Sequence, residues 1–173
     1  LVTSVSVVIS LFIAQILPYK YVSSILFVPA DESSDINNLA NQYGGLASLA
    51  GVTLPQGNID KSDIGIEVLK SRLFISNFIE KNNILIPMMA AKSWDYKTNQ
   101  LIINQDIYDK ENKQWVRNVS PPKKSKPSLN EAYDFWKKNI FTVFKDQSNG
   151  LITIKITHYS PYEAKRWAEL LFE

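Results

Sequence analysis

The stretch LVTSVSVVISLFIAQIL, residues 1–17, carries no charged side chain and stops at Pro18. The run KYVSSILFVP, residues 20–29, is rich in β-branched and aromatic residues, which favours a strand over residues 21–28. Both alternating faces of this strand are mostly apolar, which is typical of a strand covered on both sides. A seventeen-residue helix is about 25 Å long, against roughly 30 Å for the apolar layer of a bilayer. We therefore predict a partial transmembrane helix over residues 1–17 that leads directly into a folded domain.

Two other interpretations of residues 1–17 stay open. The stretch has the length of a signal-peptide core, and it also suits a helix buried inside a protein. Against a signal peptide, no pair of small residues suited to cleavage lies near Ile16, and Pro18-Tyr19 follows at once.

Length and composition indicate one ordered domain. The chain has 173 residues, of which 45% are hydrophobic and 21% charged, as in a globular protein with a core. The formal net charge of +2 does not indicate nucleic acid as a partner. The chain has no cysteine and one histidine, which excludes disulfides and thiolate metal sites and makes a transition-metal site improbable.

Hydrophobic periodicity predicts the secondary structure of the remaining chain. Helices are expected over residues 35–49, 62–81, 128–138 and 161–172, and the main strands over residues 21–28, 140–145 and 151–157. Ser128 with Glu131 and Ser160 with Glu163 match the capping box that begins a helix. Asn149-Gly150 indicates a hairpin turn, and residues 151–157 alternate between isoleucines and polar residues, as expected of a strand with one buried face.

No motif for catalysis stands out. His158 is the sole histidine and no G-x-S-x-G or phosphate-binding loop is present, so we interpret it as a structural residue at a strand end. Neighbouring carboxylates in turns are usually solvated rather than paired across a cleft. The pairs of this kind are Asp31/Glu32, Asp60/Asp63 and Asp106/Asp109.

Positive charge concentrates in residues 110–145. This region holds nine Lys or Arg and three Asp or Glu, a local net charge of +6, so the rest of the chain sums to −4. Either this is a solvated face, or it contacts an anionic polymer, a phosphate or another subunit. The candidate contact residues are Arg117, Lys123, Lys124 and Lys126.

The four tryptophans divide into two pairs. Trp136 and Trp167 fall in the apolar stripes of predicted helices and are expected in the core. Trp94 and Trp115 lie in a polar segment, where they either pack locally or stack on sugars.

The order of several segments resembles a known family. These segments are PYKYVSSI (18–25), GLASLAG (45–51), IEVLKSRLF (66–74), GLITI (150–154) and SPYEA with Trp167-Ala168 (160–168). In this order, after an apolar helix, they resemble the Wzz-type chain-length determinants, the polysaccharide co-polymerases of the bacterial inner membrane. The resemblance covers essentially the whole chain.

The resemblance implies a protein without catalytic residues, cofactor or metal. Such proteins have two membrane helices around a periplasmic domain and form homo-oligomeric rings. With the O-antigen polymerase, they set the length of lipid-linked polysaccharides. Some relatives carry a cytoplasmic tyrosine-kinase domain. The long distal helix and the second membrane helix of the family are missing here, and we expect them beyond Glu173.

The predicted fold class is therefore α+β: a periplasmic base domain, residues 18–173, with a mixed β-sheet packed by helices. It follows an N-terminal transmembrane helix and is incomplete at its C-terminus. The predicted function is regulation of lipopolysaccharide O-antigen chain length, without covalent chemistry. The alternatives are the ectodomain of a kinase-type co-polymerase and a periplasmic carbohydrate-binding module that uses Trp94 or Trp115.

Overall fold

The computed structural model describes residues 5–7, 9–10, 19–28 and 61–172. The helix predicted over residues 35–49 and most of the stretch 1–17 lie outside these ranges. Within that stretch, residues 5–7 and 9–10 are helical. No helix in the described ranges is long and apolar enough to cross a bilayer.

The described part of the chain has the predicted α+β composition. Its strands are β1 (Tyr21–Phe27), β2 (Ala91–Asp95), β3 (Gln100–Ile103), β4 (Tyr108–Asp109), β5 (Gln114–Trp115), β6 (Phe141–Lys145) and β7 (Ile152–His158). Its helices are α1 (Lys61–Lys70), α2 (Arg72–Lys81), α3 (Leu85–Met89), α4 (Leu129–Asn139) and α5 (Pro161–Leu170).

Strand β7 is the centre of a three-stranded sheet, with β1 and β6 on its two sides. Tyr21 lies opposite His158 at one end of the sheet, and Phe27 lies opposite Ile152 at the other. Both pairings are antiparallel, so the prediction of a mixed sheet is wrong for this part of the chain. A short turn joins β6 to β7 and permits only antiparallel pairing of these two strands. On the other side of β7, β1 is antiparallel to it as well.

The turn between β6 and β7 is wider than a two-residue Asn-Gly hairpin. The Asp146 N–H donates to the Leu151 carbonyl at 2.8 Å, and the Gly150 N–H donates to the Asp146 carbonyl at 2.8 Å. The Asp146 carboxylate also accepts the Ser148 N–H at 2.8 Å. The sequence therefore predicted the position of the turn correctly, but the hydrogen bonds of Asp146 determine how many residues the turn contains.

The single helix predicted over residues 62–81 is two helices, α1 and α2, separated at Ser71. Ser71 has an extended backbone, with φ −66° and ψ 147°, and its hydroxyl accepts the Phe74 N–H at 3.3 Å. A serine side chain that caps a new helix competes with continuation of the old one. Hydrophobic periodicity runs across this position, which is why the break was not predicted.

The two predicted capping sites begin α4 and α5. At α4, Ser128 and Glu131 form the complete reciprocal box. At α5, the Ser160 hydroxyl accepts the Glu163 N–H at 3.4 Å, while the Glu163 carboxylate pairs with Arg166 at 3.1 Å. Both helix starts are confirmed, although the second uses half of the box and a proline at its first turn.

The core lies on one side of the sheet. Trp136 of α4 and Trp167 of α5 are fully buried, as predicted, with ring centroids 6.0 Å apart. They pack in one cluster with Ile154 and Ile156 of β7. Neither indole N–H has a hydrogen-bond partner within the described ranges, a cost of about 1–3 kcal/mol each that is offset by the large apolar area of the rings.

The opposite face of the sheet carries exposed apolar side chains in the described part of the chain. Leu26 of β1 and Phe144 of β6 lie opposite Thr153 of β7, and their exposed fractions are 60% and 45%. Val22 and Val28 extend this apolar surface along β1. The two-sided burial expected for β1 is therefore wrong in this structure, since its core side packs on α5 and its other side faces outward.

Two glycines provide a matched test of the backbone. Gly150 has φ +72°, where an alanine side chain is strained, so Gly150→Ala should destabilise the protein by about 1–2 kcal/mol. Gly65 lies inside α1 with no neighbouring atom within 4 Å of an added Cβ, so Gly65→Ala should stabilise it by about 0.5–1 kcal/mol. Urea unfolding of both variants measures the difference, and equal effects would contradict these backbone assignments.

Candidate interaction surfaces

Three of the four predicted basic residues lie in one loop before α4. Lys123, Lys124 and Lys126 are exposed and line a shallow depression. The buried Pro127 and the first turn of α4 form the other wall of this depression. We call residues 123–126 the basic loop. Its lysines present three ammonium groups beside a helix N-terminus, an arrangement that attracts anions.

Arg117 has a different position from the three lysines. Its guanidinium donates to the carbonyls of Lys124 at 2.8 Å and Ser125 at 2.7 Å, and to the Glu131 carboxylate at 2.9 Å. The exposed fractions of the Arg117 and Glu131 side chains are 15% and 20%. Arg117 therefore holds the basic loop against α4, and its charge is already neutralised by Glu131.

The Glu131 carboxylate limits what the basic loop can bind. Burial raises its pKa, but the Ser128 N–H and the Arg117 guanidinium outweigh this effect and hold the pKa below its usual value. Glu131 therefore stays ionised at neutral pH and occupies the helix N-terminus itself. An anion at this loop meets lysine side chains on the surface rather than an enclosed pocket. This geometry suits a loose contact with an extended anionic polymer or another protein surface.

His158 is a structural residue, as predicted. It is 2% exposed and packs on the Trp167 ring at 4.6 Å. Its Nδ1 accepts the Ser160 N–H at 3.0 Å, so its Nε2 carries the proton and donates to the Pro87 carbonyl at 2.9 Å. The imidazole thus connects α3 to the start of α5, and burial lowers its pKa.

Of the predicted turn carboxylates, Asp31, Glu32 and Asp60 lie outside the described residues. Asp95, Asp109 and Asp146 each accept side-chain and backbone hydrogen bonds from residues two or three positions later in their own turns, and these bonds lower their pKa values. Asp63 pairs with Lys145 at 3.0 Å. Within the ranges that the structure describes, no group of three His, Asp or Glu side chains is arranged to hold a metal ion.

The two undecided tryptophans both lie in aromatic contacts near the surface. Trp115 meets Tyr108 across the β4–β5 pair at 5.2 Å. Trp94 of β2 lies between Tyr21 of β1 and Tyr162 of α5, with ring centroids 5.4 Å and 6.0 Å away. We call Tyr21, Trp94 and Tyr162 the aromatic cluster. Sequence reasoning missed it because its members are far apart in the chain and follow no common pattern.

No family model, curated protein or solved structure matches the chain.

Arg117 should matter for stability more than its surface position suggests. Arg117→Met removes the guanidinium that donates to Glu131 and to two carbonyls, and should lower the free energy of unfolding by about 1–2 kcal/mol. Lys124→Met is the matched control, because its side chain is exposed and only its carbonyl contacts Arg117; it should change stability by less than about 0.5 kcal/mol. Urea titration at neutral pH distinguishes the two. A harmless Arg117→Met would contradict the loop-holding role.

His158 should make stability depend on pH. Below its ordinary pKa of 6.5, the histidine of the unfolded chain gains a proton, while the folded imidazole, whose pKa is lowered, gains one only at lower pH. Acidification therefore favours unfolding, by at most about 1.4 kcal/mol per pH unit for one group.

This dependence is measured by urea unfolding at pH 7.5 and pH 5.5. The parent protein should lose stability at the lower pH. His158→Asn keeps an acceptor near Ser160 and should be less stable at both pH values, but its stability should change less between them. Equal losses in the two proteins would show that another group is responsible.

Proposed function

We propose that this chain is the membrane-proximal, periplasmic part of a bacterial polysaccharide chain-length regulator of the Wzz type. In this role it acts as a homo-oligomer in the inner membrane, beside the O-antigen polymerase, and binds rather than transforms the lipid-linked polysaccharide. The order of quoted segments, from the uncharged residues 1–17 to the start of α5, supports the family assignment.

The observation that carries the proposal is the open sheet. β1 forms one edge of the three-stranded sheet among the described residues, and an edge strand offers unpaired backbone groups to another chain. The adjoining outer face exposes Val22, Leu26 and Phe144, and exposed apolar surface of this kind commonly marks a protein contact. These features suit a domain that works by assembly.

The basic loop is the proposed contact for an anionic partner. Lys123, Lys124 and Lys126 point outward, whereas Arg117 is engaged internally, so we assign the contact to the lysines. Their flexible ammonium groups interact with phosphate or carboxylate groups as point charges.

A carbohydrate-binding module remains the second candidate. Its supporting observation is Trp94, whose ring lies between two exposed tyrosines, since aromatic rings are the usual stacking surfaces for flat apolar faces of ligands. This candidate predicts a monomer that binds soluble glycan.

Oligomeric mass distinguishes the two candidates. The complete protein that carries this chain, purified in nanodiscs, should give a discrete assembly of several subunits by light scattering or mass photometry. Deletion of its gene should leave polysaccharide synthesis intact but remove the preferred chain length on a gel. A monomer that binds glycan would overturn the proposal, as would an unchanged length distribution in the deletion strain.

The basic loop gives a sharper prediction. Lys123→Gln/Lys124→Gln/Lys126→Gln should shift the polymer distribution to shorter chains, because a weaker contact releases the growing polymer earlier, while oligomeric mass is unchanged. The matched control is Lys81→Gln/Lys110→Gln/Lys138→Gln, which removes three exposed positive charges elsewhere and should keep the parental distribution. An equal shift in both variants would mean that only overall charge matters.

A further inference from the structure

The aromatic cluster lies at the end of the sheet where the chain enters the domain. Tyr21 is the first residue of β1 and lies opposite His158, the last residue of β7. Residues 1–17, the uncharged stretch, precede it by only a few positions. Tyr19, just before the strand, is 80% exposed, and Tyr162 of the cluster is 61% exposed. Exposed rings therefore gather where the proposed membrane helix joins the domain.

Two lysines neighbour the cluster along the chain: Lys20 precedes Tyr21, and Lys97 follows Trp94 by three residues. Lys20 lies over the Tyr159 ring at 5.4 Å, and Lys97 lies over the Tyr96 ring at 5.9 Å. Two carboxylates next to cluster residues are engaged: Asp95 accepts the Thr98 hydroxyl and the Lys97 N–H, and Glu163 pairs with Arg166. Lys20 and Lys97 can also contact phosphate groups outside the protein.

The ring geometry favours a lipid interface over a sugar platform. The Tyr21 and Trp94 planes meet at 86°, and the Trp94 and Tyr162 planes meet at 57°, so the three rings do not form one flat surface. The Trp94 N–H already donates to Asn99 at 3.1 Å, which removes a donor that a sugar hydroxyl would use. Tryptophan and tyrosine with neighbouring lysines are instead the residues enriched at the membrane–water boundary.

We propose that Tyr21, Trp94 and Tyr162, with Lys20 and Lys97 beside them, contact the headgroup layer of the membrane. This inference rests on the membrane attachment in the proposed function, and adds which surface of the domain faces the lipid. The end of the sheet that carries Tyr21 then lies next to the membrane. The β6–β7 turn lies at the opposite end of β7, seven residues from the Tyr21 end, or roughly 23 Å at the usual rise per residue.

The absence of cysteine from the chain permits a clean depth measurement. Single cysteines carrying a nitroxide label are introduced by Tyr162→Cys in the cluster and Gln147→Cys in the β6–β7 turn. Tyr96→Cys, in the β2–β3 turn, is a second label near the cluster that leaves its three rings intact. Tyr19→Cys reports on the membrane attachment itself. Each full-length variant is reconstituted in nanodiscs containing phosphatidylglycerol, and unfolding curves establish that it folds like the parent.

Electron paramagnetic resonance compares collisions of each label with oxygen and with a water-soluble nickel complex. Labels at 162 and 96 should show headgroup depth, with at least a several-fold lower nickel accessibility than the label at 147. Equal aqueous accessibility at 162, 96 and 147 would overturn the inference. The labels at 162 and 96 are also tested with O-polysaccharide that mild acid has released from lipopolysaccharide. If both labels are in water and this polysaccharide immobilises them, the inference is overturned in favour of glycan binding.

The same preparations separate this inference from the proposed function. A label at 19 in the headgroups, with labels at 162 and 96 in water, overturns the lipid contact alone. An aqueous label at 19 overturns the membrane attachment and the contact together. Labels at 162 and 96 in the headgroups of a monomeric protein support the contact and overturn the assembly role.

Discussion

The structure depends on the pairing of β7 with strands on both of its sides. β7 places Ile152, Ile154 and Ile156 on one face, and α5 packs against that face immediately after the strand ends. His158 completes the same row and joins two further elements, through the Pro87 carbonyl and the Ser160 N–H. Because the core and the helix junctions meet along this one strand, a change in its register would move every isoleucine to the outer face.

The arrangement of the sheet has consequences for the proposed function. Trp136, Trp167 and the isoleucines fill the core on one face, while among the described residues the outer face exposes apolar side chains and β1 is an edge strand. Single domains usually cover or charge such edges. A domain that assembles with copies of itself has a reason to leave them open, and the proposed ring of subunits would use them.

Several charged side chains of the described chain are engaged in turns, at helix ends or between elements. Arg117 with Glu131, and Lys145 with Asp63, join separate elements, and the turn aspartates bond their own backbones. The basic loop differs because its lysines lie exposed beside a helix start. The candidate contact sites of the described chain are therefore two surfaces: the lysines before α4 and the aromatic rings at the start of β1. The basic loop lies at the start of α4, a helix about 16 Å long. Ile140, at the other end of this helix, accepts the Thr157 N–H through its carbonyl, and Thr157 precedes His158, which lies opposite Tyr21. The two surfaces therefore lie toward different ends of the domain.

The sequence by itself determined the features that act over a few residues. The alternation in β7, the caps at Ser128 and Ser160, and the burial of Trp136 and Trp167 follow from local hydrogen bonds and side-chain periodicity. Only the tertiary structure decided the antiparallel place of β1, the inward engagement of Arg117 and the meeting of Tyr21, Trp94 and Tyr162. The break at Ser71 is local, yet the apolar pattern concealed it. The distant contacts could not be read from the sequence, because they depend on how packing brings separate segments together.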